Sequence, residues 1–396
     1  MKDEEEKIEH LLSWNVEEVI DRKHLEAALR SGKKLRIKHG IDPTGPNMHI
    51  GRAIVLWKLR EFQELGHTIV IIIGDMTAQI GDPSDKLEKR PFLSRAQVEQ
   101  NMKQYLPQIG KILDLKKVEV RYNSEWLEKL GLRELSELAD HFTFQQILER
   151  RNFQDRLQKH EEISYREGLY PLMQAYDSVA VKADVELGGT DQLFNLLAGR
   201  KIQERYKQKP QDILATKMLV GLDGRKMSTS WGNVINIIDT PQEQFGKTMS
   251  LRDELIPEYF EAVTDLTGNE IEAIKKELKK KGANPKVAKE RLAFEVVKRY
   301  HGEKAAKEAQ ENFEKVFSRH EIPDDAPVLK IRSKKISVLD LVVASGVMKS
   351  KSEARRLIEQ GGFELAEKVY KDPQEEIVLR TGETVRIGKK KFFRLG

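Results

Sequence analysis

Two short β-branched runs, LRIKHGID (35–42) and TIVIIIGD (68–75), enclose the amphipathic stretch IVLWKLREFQEL (54–65). Runs of this length, rich in Ile and Val, read as strands buried on both faces. The helical stretch between them is the crossover that parallel pairing requires. Of all features in the sequence, this strand, helix, strand unit most constrains the fold. Further strand candidates are KVEVRY (117–122) and SVAVKADVEL (178–187), each with helical segments nearby. Residues 1–225 are therefore expected to form a doubly wound, parallel-sheet α/β domain, in which ligands bind beyond the carboxyl ends of the strands.

From Pro241 to Arg319 strand signals vanish and helical patterns such as IEAIKKELKKK and KEAQENFEKVF take over. An α-helical domain over 226–325, led by a loop, is expected, and at 396 residues two or three domains are the natural division. IPDDAPV (322–328), with two prolines and two aspartates, reads as a linker. Beyond it, helical SVLDLVVASG and KSKSEARRLIEQGG precede the alternating IVLRTGETVRIGKKKFFRL, whose Thr381-Gly382-Glu383 suits a hairpin turn. Residues 333–396 thus read as a small α+β module. That module holds 14 Lys/Arg against 9 Asp/Glu, which accounts for the whole net charge of +5. A basic module on a near-neutral body suggests binding to a phosphate backbone; solvated lysines that serve only solubility are the alternative.

The chain has no cysteine, which excludes disulfides, thiolate metal sites and cysteine nucleophiles. Its first ten residues, MKDEEEKIEH, resemble neither a signal nor a transit peptide, and no apolar run approaches the ~18 residues needed to span a bilayer. A cytoplasmic protein without a membrane partner is expected.

Three stretches carry candidate chemistry. GIDPTGPNMHIGR (40–52) is a glycine-permissive turn at a strand's carboxyl end that leads into a helix. Free backbone N–H groups and the positive end of the helix dipole would face a phosphate there, with His49 and Thr44 as added donors and Gly51 giving a nucleotide ring room. A capped turn with a surface histidine is the plainer account. LVGLDGRKMSTSWGN (219–233) reads as a mobile loop whose Lys226 could close over a polyphosphate, or as an interdomain loop with incidental basic residues. In YPLMQAYD (170–177), Tyr170, Gln174 and Asp177 share one helix face among apolar neighbours, which suits a pocket for a small polar ligand or a satisfied polar seam.

Taken together these stretches resemble the class I aminoacyl-tRNA synthetases. His49-Ile50-Gly51-Arg52 matches their His-Ile-Gly-His signature at three of four places, and Lys226-Met227-Ser228-Thr229-Ser230 matches Lys-Met-Ser-Lys-Ser at four of five. The Tyr-x-x-x-Gln-x-x-Asp helix narrows the resemblance to the tyrosyl-tRNA synthetases of bacterial type, with LGGTDQ (187–192) and TAQIGDPSDK (77–86) as further motifs. SKSEARRLIEQGG (350–362) with the strands after it resembles the ribosomal-protein-type RNA-binding module these enzymes carry at the carboxyl end.

The resemblance implies a Rossmann-like catalytic domain, ATP and L-tyrosine as substrates, Mg²⁺ as the ATP counterion with no metal site in the protein, tRNA(Tyr) as partner, and a homodimer whose α/β domains meet. It implies that Tyr170, Gln174 and Asp82 bind the α-ammonium, that Asp177 reads the phenol, and that Thr77, Gln192 and Lys38 contact the tyrosine. Gly40, Asp42, His49, Gly51, Arg52, Gly189, Asp191, Lys226, Ser228, Thr229 and Ser230 would surround ATP. Thr44, His49 and Lys226, with a second basic pair, Lys86 and Arg90, would stabilise charge moving onto pyrophosphate. Lys349, Lys351, Arg355 and Arg356 would meet RNA phosphates.

Four departures from the family pattern stand out. Arg52 replaces the second histidine and Thr229 the second lysine. Lys38 stands where many members have a phenol-reading tyrosine, and Ala366-Glu367 where the RNA module has an Asn-Gly turn, so an altered turn is expected there. Three other readings stay open: a tryptophan enzyme of the same architecture, against which the Tyr170 helix and the terminal module argue; a nucleotidylyltransferase, which would not need that module; and a non-catalytic RNA-binding or splicing protein descended from such an enzyme.

Overall fold

The centre of the protein is a six-stranded sheet made of β1 (Val16–Ile20), β2 (Arg36–Ile41), β3 (Thr68–Ile73), β4 (Val118–Tyr122), β5 (Val185–Gly189) and β6 (Asp212–Thr216), in the order β1-β6-β5-β2-β3-β4. This computed structural model describes residues 2–83, 93–318, 327–329, 331, 333, 335–348, 350–366, 368–388 and 391–396, in two units, Met1–Ala306 and Lys307–Gly396. All pairings in the sheet are parallel except that of β1 on β6. The pattern on β3 shows why: Ile69, Ile71 and Ile73 enter one hydrophobic cluster, while Val70 and Ile72 enter another on the opposite face. Each such side chain contributes about 1.5–3 kcal/mol on burial, so the strand is held from both sides. The chain order runs outward in opposite directions from β2 and β5, leaving a crevice at their carboxyl ends.

Helices α1 (Ile50–Glu64), α2 (Arg95–Ile109), α3 (Tyr165–Val181) and α4 (Leu193–Arg205) frame that crevice. The expected strand at 178–187 is corrected here. Its first four residues close α3, which continues the buried face begun at Tyr170, and Lys182 then takes a left-handed conformation (φ 51°) that ends the helix. The strand begins only at Val185. Strands β1 and β6 gave no usable pattern: VEEVI is an edge strand with two exposed acidic residues, and DILAT is a five-residue run buried along its whole length.

Beyond β6 come α5 (Pro241–Met249), α6 (Ile256–Val263), α7 (Gly268–Leu278), α8 (Pro285–His301) and α9 (Glu303–Ser318). Capping boxes open two of them, Thr240 with Glu243 and Thr267 with Glu270, and Asn284 followed by Pro285 opens α8. Their core, including Tyr259, Phe260, Leu292 and Val296, also takes in Ile50 and Ile54 from α1.

The second unit contains β7 (Val328–Leu329), β8 (Lys335–Ser337), α10 (Val338–Ala344), α11 (Lys351–Glu359), β9 (Phe363–Leu365), β10 (Lys368–Tyr370), β11 (Glu376–Val378), β12 (Thr384–Ile387) and β13 (Lys391–Leu395). The expected linker is only partly visible: 322–326 lie outside the described residues, and Val328 already pairs with β13. Thr381-Gly382-Glu383 does not join a hairpin. Ile377 before it pairs with Ile336 of β8, whereas Val385 after it pairs with Phe393 of β13 and Leu365 of β9, so the two strands belong to different sheets. Ala366 sits at φ 47° between the paired Leu365 and Lys368, so an alanine accepts the left-handed geometry that suits an Asn-Gly pair.

Candidate active site

The turn after β2 brings backbone and side chains together at the carboxyl end of the sheet. Asp42 leaves β2 and accepts hydrogen bonds from Thr77 Oγ1 at 2.7 Å and from the Tyr170 hydroxyl at 2.9 Å, tying three chain segments to one carboxylate. The approach is close enough that β3 must be followed by glycine: a Cβ on Gly74 would lie 2.0 Å from Asp42 Oδ1 and 2.3 Å from Thr77 Oγ1. His49 is the N-cap of α1, its Nδ1 accepting from the Arg52 backbone N–H at 3.3 Å. With Nδ1 an acceptor, the ring carries its proton on Nε2. The expectation of free backbone donors is corrected in part, because the N–H groups of Ile50, Arg52 and Ala53 are engaged with Ile235, His49 and His49. Side chains carry the remaining donor role: the Arg52 guanidinium donates from Nη1 to the Tyr105 hydroxyl at 3.2 Å and from Nη2 to Thr44 Oγ1 at 3.5 Å.

On α3, Tyr170, Gln174 and Asp177 share a face, as their spacing requires. Asp177 is buried, and its carboxylate accepts from Trp126 Nε1 at 2.7 Å and Asn123 Nδ2 at 3.4 Å. Burial pushes its pKa up to about 7, while the Lys38 charge and these two donors oppose the rise. Burial, and then the Asp42 charge, lifts the Tyr170 phenol well above its ordinary range. Gln192 Nε2 donates to Asp82 at 2.7 Å, and Asn195 Nδ2 bridges to the Gln174 and Gln192 carbonyls at 3.1 and 3.0 Å.

Lys38 takes a different place from the one its position suggested. Its ammonium is fully buried beneath α3 and donates to Gln174 O at 2.9 Å, Ser178 Oγ at 2.8 Å and Glu186 Oε1 at 2.7 Å. All three donors of an ammonium are used in those contacts, and the side chain stands outside the cavity wall.

The 219–233 loop is braced by the buried Asn233, whose amide donates to Asp223 at 2.8 Å and Lys226 O at 3.1 Å and accepts from Ser228 N at 2.8 Å. Met227 is buried against α1, and Lys226 and Thr229 are exposed. Arg225 is turned to Asp223 at 2.8 Å and lies 4.9 Å over the Trp231 ring.

These parts converge on one cavity of about 590 Å³. The β2 turn gives Gly40, Asp42, Thr44, His49, Gly51 and Arg52; α3 gives Tyr170, Gln174 and Asp177; β5 and its sequel give Gly189, Asp191 and Gln192. Thr77 and Asp82 join from the turn after β3, and Lys226, Ser228 and Thr229 from the loop. Lys86, Arg90 and Lys349, and the side chain of Ser230, lie outside the described residues. In the second unit Lys351, Arg355 and Arg356 are exposed on α11, opposite the buried Ala354 and Ile358. Sequence reasoning missed Asn123, Trp126 and Tyr105: none sits in a motif, and each comes into place through β4 or α2. Among the described residues, one group of possible metal ligands, Asp21, His24 and Asp212, lies at the opposite end of β6. There His24 Nδ1 is 2.8 Å from Asp212 and Nε2 is 2.6 Å from Lys209 Nζ, so both ring nitrogens are engaged.

Comparison with known proteins agrees with this geometry. A family profile described as tRNA synthetases class I (W and Y) matches residues 30–318, and an S4 domain matches 339–379. The tyrosine–tRNA ligase of Thermotoga maritima is 47% identical over 97% of this chain and 96% of its own, and that of Aquifex aeolicus 46% over 96% and 95%. The chain belongs to the tyrosine–tRNA ligase family. Solved structures share the family fold: a truncated Aspergillus nidulans mitochondrial tyrosyl-tRNA synthetase (TM-score 0.64, 23% identity, 78% of this chain and 94% of that one) and the Archaeoglobus fulgidus enzyme complexed with L-tyrosine (0.60, 22%, 77% and 99%). A Plasmodium falciparum tryptophanyl-tRNA synthetase shares it too, at TM-score 0.59 and 15% identity over 78% of this chain and 89% of that one. Within this family the chain has Tyr170, Gln174 and Asp177 on one face of α3, with Arg52 and Thr229 at two of the signature positions.

Proposed function

We propose that the protein joins L-tyrosine to tRNA(Tyr) with ATP, and that the residues converging on the 590 Å³ cavity perform the first step. The observation that carries this reading is Asp177: a buried carboxylate, positioned by Trp126 and Asn123, at the end of the cavity whose other walls hold His49 and Lys226. A phenol hydroxyl satisfies that carboxylate, and a phenyl ring leaves it desolvated and short of a partner.

Tyrosine binds with its ammonium toward Tyr170, Gln174 and Asp82. The Tyr170 hydroxyl donates its hydrogen bond to the Asp42 carboxylate, which turns the phenol oxygen's lone pairs to the ligand. The tyrosine carboxylate then attacks the α-phosphorus of ATP; the bond to the bridging oxygen breaks, and its electron pair leaves on pyrophosphate. The nucleophile is already ionised, so no general base is needed. Rate comes from alignment and from fixed charge: Thr44, His49 Nε2–H and Lys226 face the departing phosphates. Magnesium accompanies ATP as part of that substrate. In the second step a terminal ribose hydroxyl of the tRNA attacks the tyrosyl carbonyl and releases AMP, and Lys351, Arg355 and Arg356 on α11 hold RNA phosphates.

We divide the work among residues 1–225 for chemistry, 226–325 for the loop and the anticodon side, and 333–396 for RNA, in a cytoplasmic homodimer. No helix among the described residues is long and apolar enough to cross a membrane. The test is pyrophosphate exchange into ATP with tyrosine, tryptophan and phenylalanine in turn. Exchange with tyrosine alone is expected; exchange with tryptophan alone, or with none of the three, refutes the reading.

A further inference from the structure

Two of the departures from the family signatures change charge, and they do so in opposite directions. Thr229 places a neutral hydroxyl on the loop where the signature has a lysine, and Arg52 places a permanent cation on the opposite wall where the signature has a histidine. Both residues line the same cavity. Resting on the tyrosine-activating reading, we infer that Arg52 supplies, from the fixed floor, the phosphate-facing positive charge that Thr229 lacks on the loop, and that Tyr105 is the residue that positions it.

Three observations carry this. First, the Arg52 side chain is directed along the floor toward the phosphate side: Nη2 reaches Thr44 Oγ1 at 3.5 Å, and Thr44 and His49 stand beside it on the same wall. Second, Tyr105 is fully buried and aims its hydroxyl at Arg52 Nη1 at 3.2 Å, fixing a long side chain that would otherwise sample many rotamers. These two bonds use two of the five guanidinium N–H groups, and the planar fork suits phosphate oxygens. Third, the loop's other cation is committed elsewhere. Arg225 donates to Asp223, whose carboxyl is held down at about 2 first by the Asn233 amide and then by Arg225, and it stacks on Trp231 away from the cavity.

A charge on the floor acts differently from a charge on a loop. It is in place before ATP arrives and needs no closure to reach its position, so it stabilises charge as that charge develops at no cost in reorganisation. The loop is left with Lys226 as its share of the work.

The experiment measures tyrosyl-adenylate formation in a single turnover by the full-length protein, with ATP dependence. Arg52→His is expected to slow the step at least 30-fold at saturating ATP while the ATP KM moves less than threefold, and Arg52→Lys to recover part of the loss. Thr229→Lys should gain at least tenfold more in the Arg52→His background than in the wild type. Tyr105→Phe should slow the step three- to tenfold with Arg52 present and have no further effect with Arg52→His. Equal gains from Thr229→Lys in both backgrounds, equal losses from Tyr105→Phe in both, or a wild-type rate in Arg52→Gln overturn the inference. A second measurement is independent of the amino acid. Calorimetric binding of inorganic pyrophosphate should weaken at least tenfold in Arg52→Gln, and an unchanged Kd overturns the inference even if no amino acid is activated. Pyrophosphate binding that depends on Arg52 in a protein that exchanges with no amino acid would sink the tyrosine reading alone.

Discussion

Replacing Asp177 with asparagine should make the protein more stable and less useful, by an amount that depends on pH. Folding buries the carboxyl and raises its pKa from 3.8 to about 7. The folded protein therefore keeps the proton longer than the unfolded chain does, and ionisation opposes folding progressively from about pH 4 to pH 7, with the penalty complete above that. At 1.36 kcal/mol per unit the full penalty is about 4 kcal/mol, of which roughly 1.7 is already present at pH 5. An asparagine does not titrate. Its fixed difference, a Trp126 bond made to a neutral acceptor and an amide facing Asn123, is the same at every pH. The stability gap between Asp177→Asn and wild type should thus shift by about 2.5 kcal/mol in the variant's favour between pH 5 and pH 8. All four tryptophans lie in the first unit, so urea unfolding followed by tryptophan fluorescence reports on that unit. A gap that stays constant from pH 5 to pH 8 would refute the reasoning. The same variant should lose at least about tenfold in its preference for tyrosine over phenylalanine in pyrophosphate exchange.

Gly51→Ala would place a Cβ 3.1 Å from both His49 Nδ1 and Met227 Sδ, and we expect an ATP KM about tenfold higher, with an unchanged value arguing against a tight seam between loop and helix. Lys38→Met removes the countercharge of the fully buried Glu186 carboxylate, leaving it only neutral donors from Gln174, Ser178 and Gln211, and should cost about 3–5 kcal/mol in urea unfolding, most of it recovered in Lys38→Met with Glu186→Gln. No recovery would mean that lost packing, not the orphaned charge, dominates. Ala366→Gly relieves the φ of 47° and should stabilise the β9 to β10 hairpin by about 1 kcal/mol, read as slower amide hydrogen exchange at 363–370.

The parts of the fold that could be read from sequence are those where one period dominates. β3 is legible because all its apolar residues are buried, and the Tyr170, Gln174, Asp177 face because helical spacing alone sets it. At 178–187 two elements share one β-branched run, and only the left-handed turn at Lys182, which no residue preference announces, divides them. Lys38 shows another limit. A residue's place in a motif fixes its backbone, whereas its side chain turned to Glu186, a partner 148 positions away in the chain. Trp126 and Asn123 support Asp177 from the short helix Ser124–Leu127 and its N-cap just after β4, and that arrangement exists only once β3 and β4 are paired. The Thr381-Gly382-Glu383 turn was recognisable as a turn, but which strands it separates depends on pairings with β8 and β9 far along the chain.

Helix α1 belongs to two cores. Ala53, Val55, Leu56 and Leu59 press into the sheet's cluster, while Ile50 and Ile54 are seated among Tyr259, Phe260 and Leu292 of the helices beyond the loop. Apolar packing of this density resists sliding, so a rod gripped on two sides ties the two cores to each other. His49 and Arg52, at the first turn of that rod, are therefore held in place by the sheet and by the helices beyond Pro241 together.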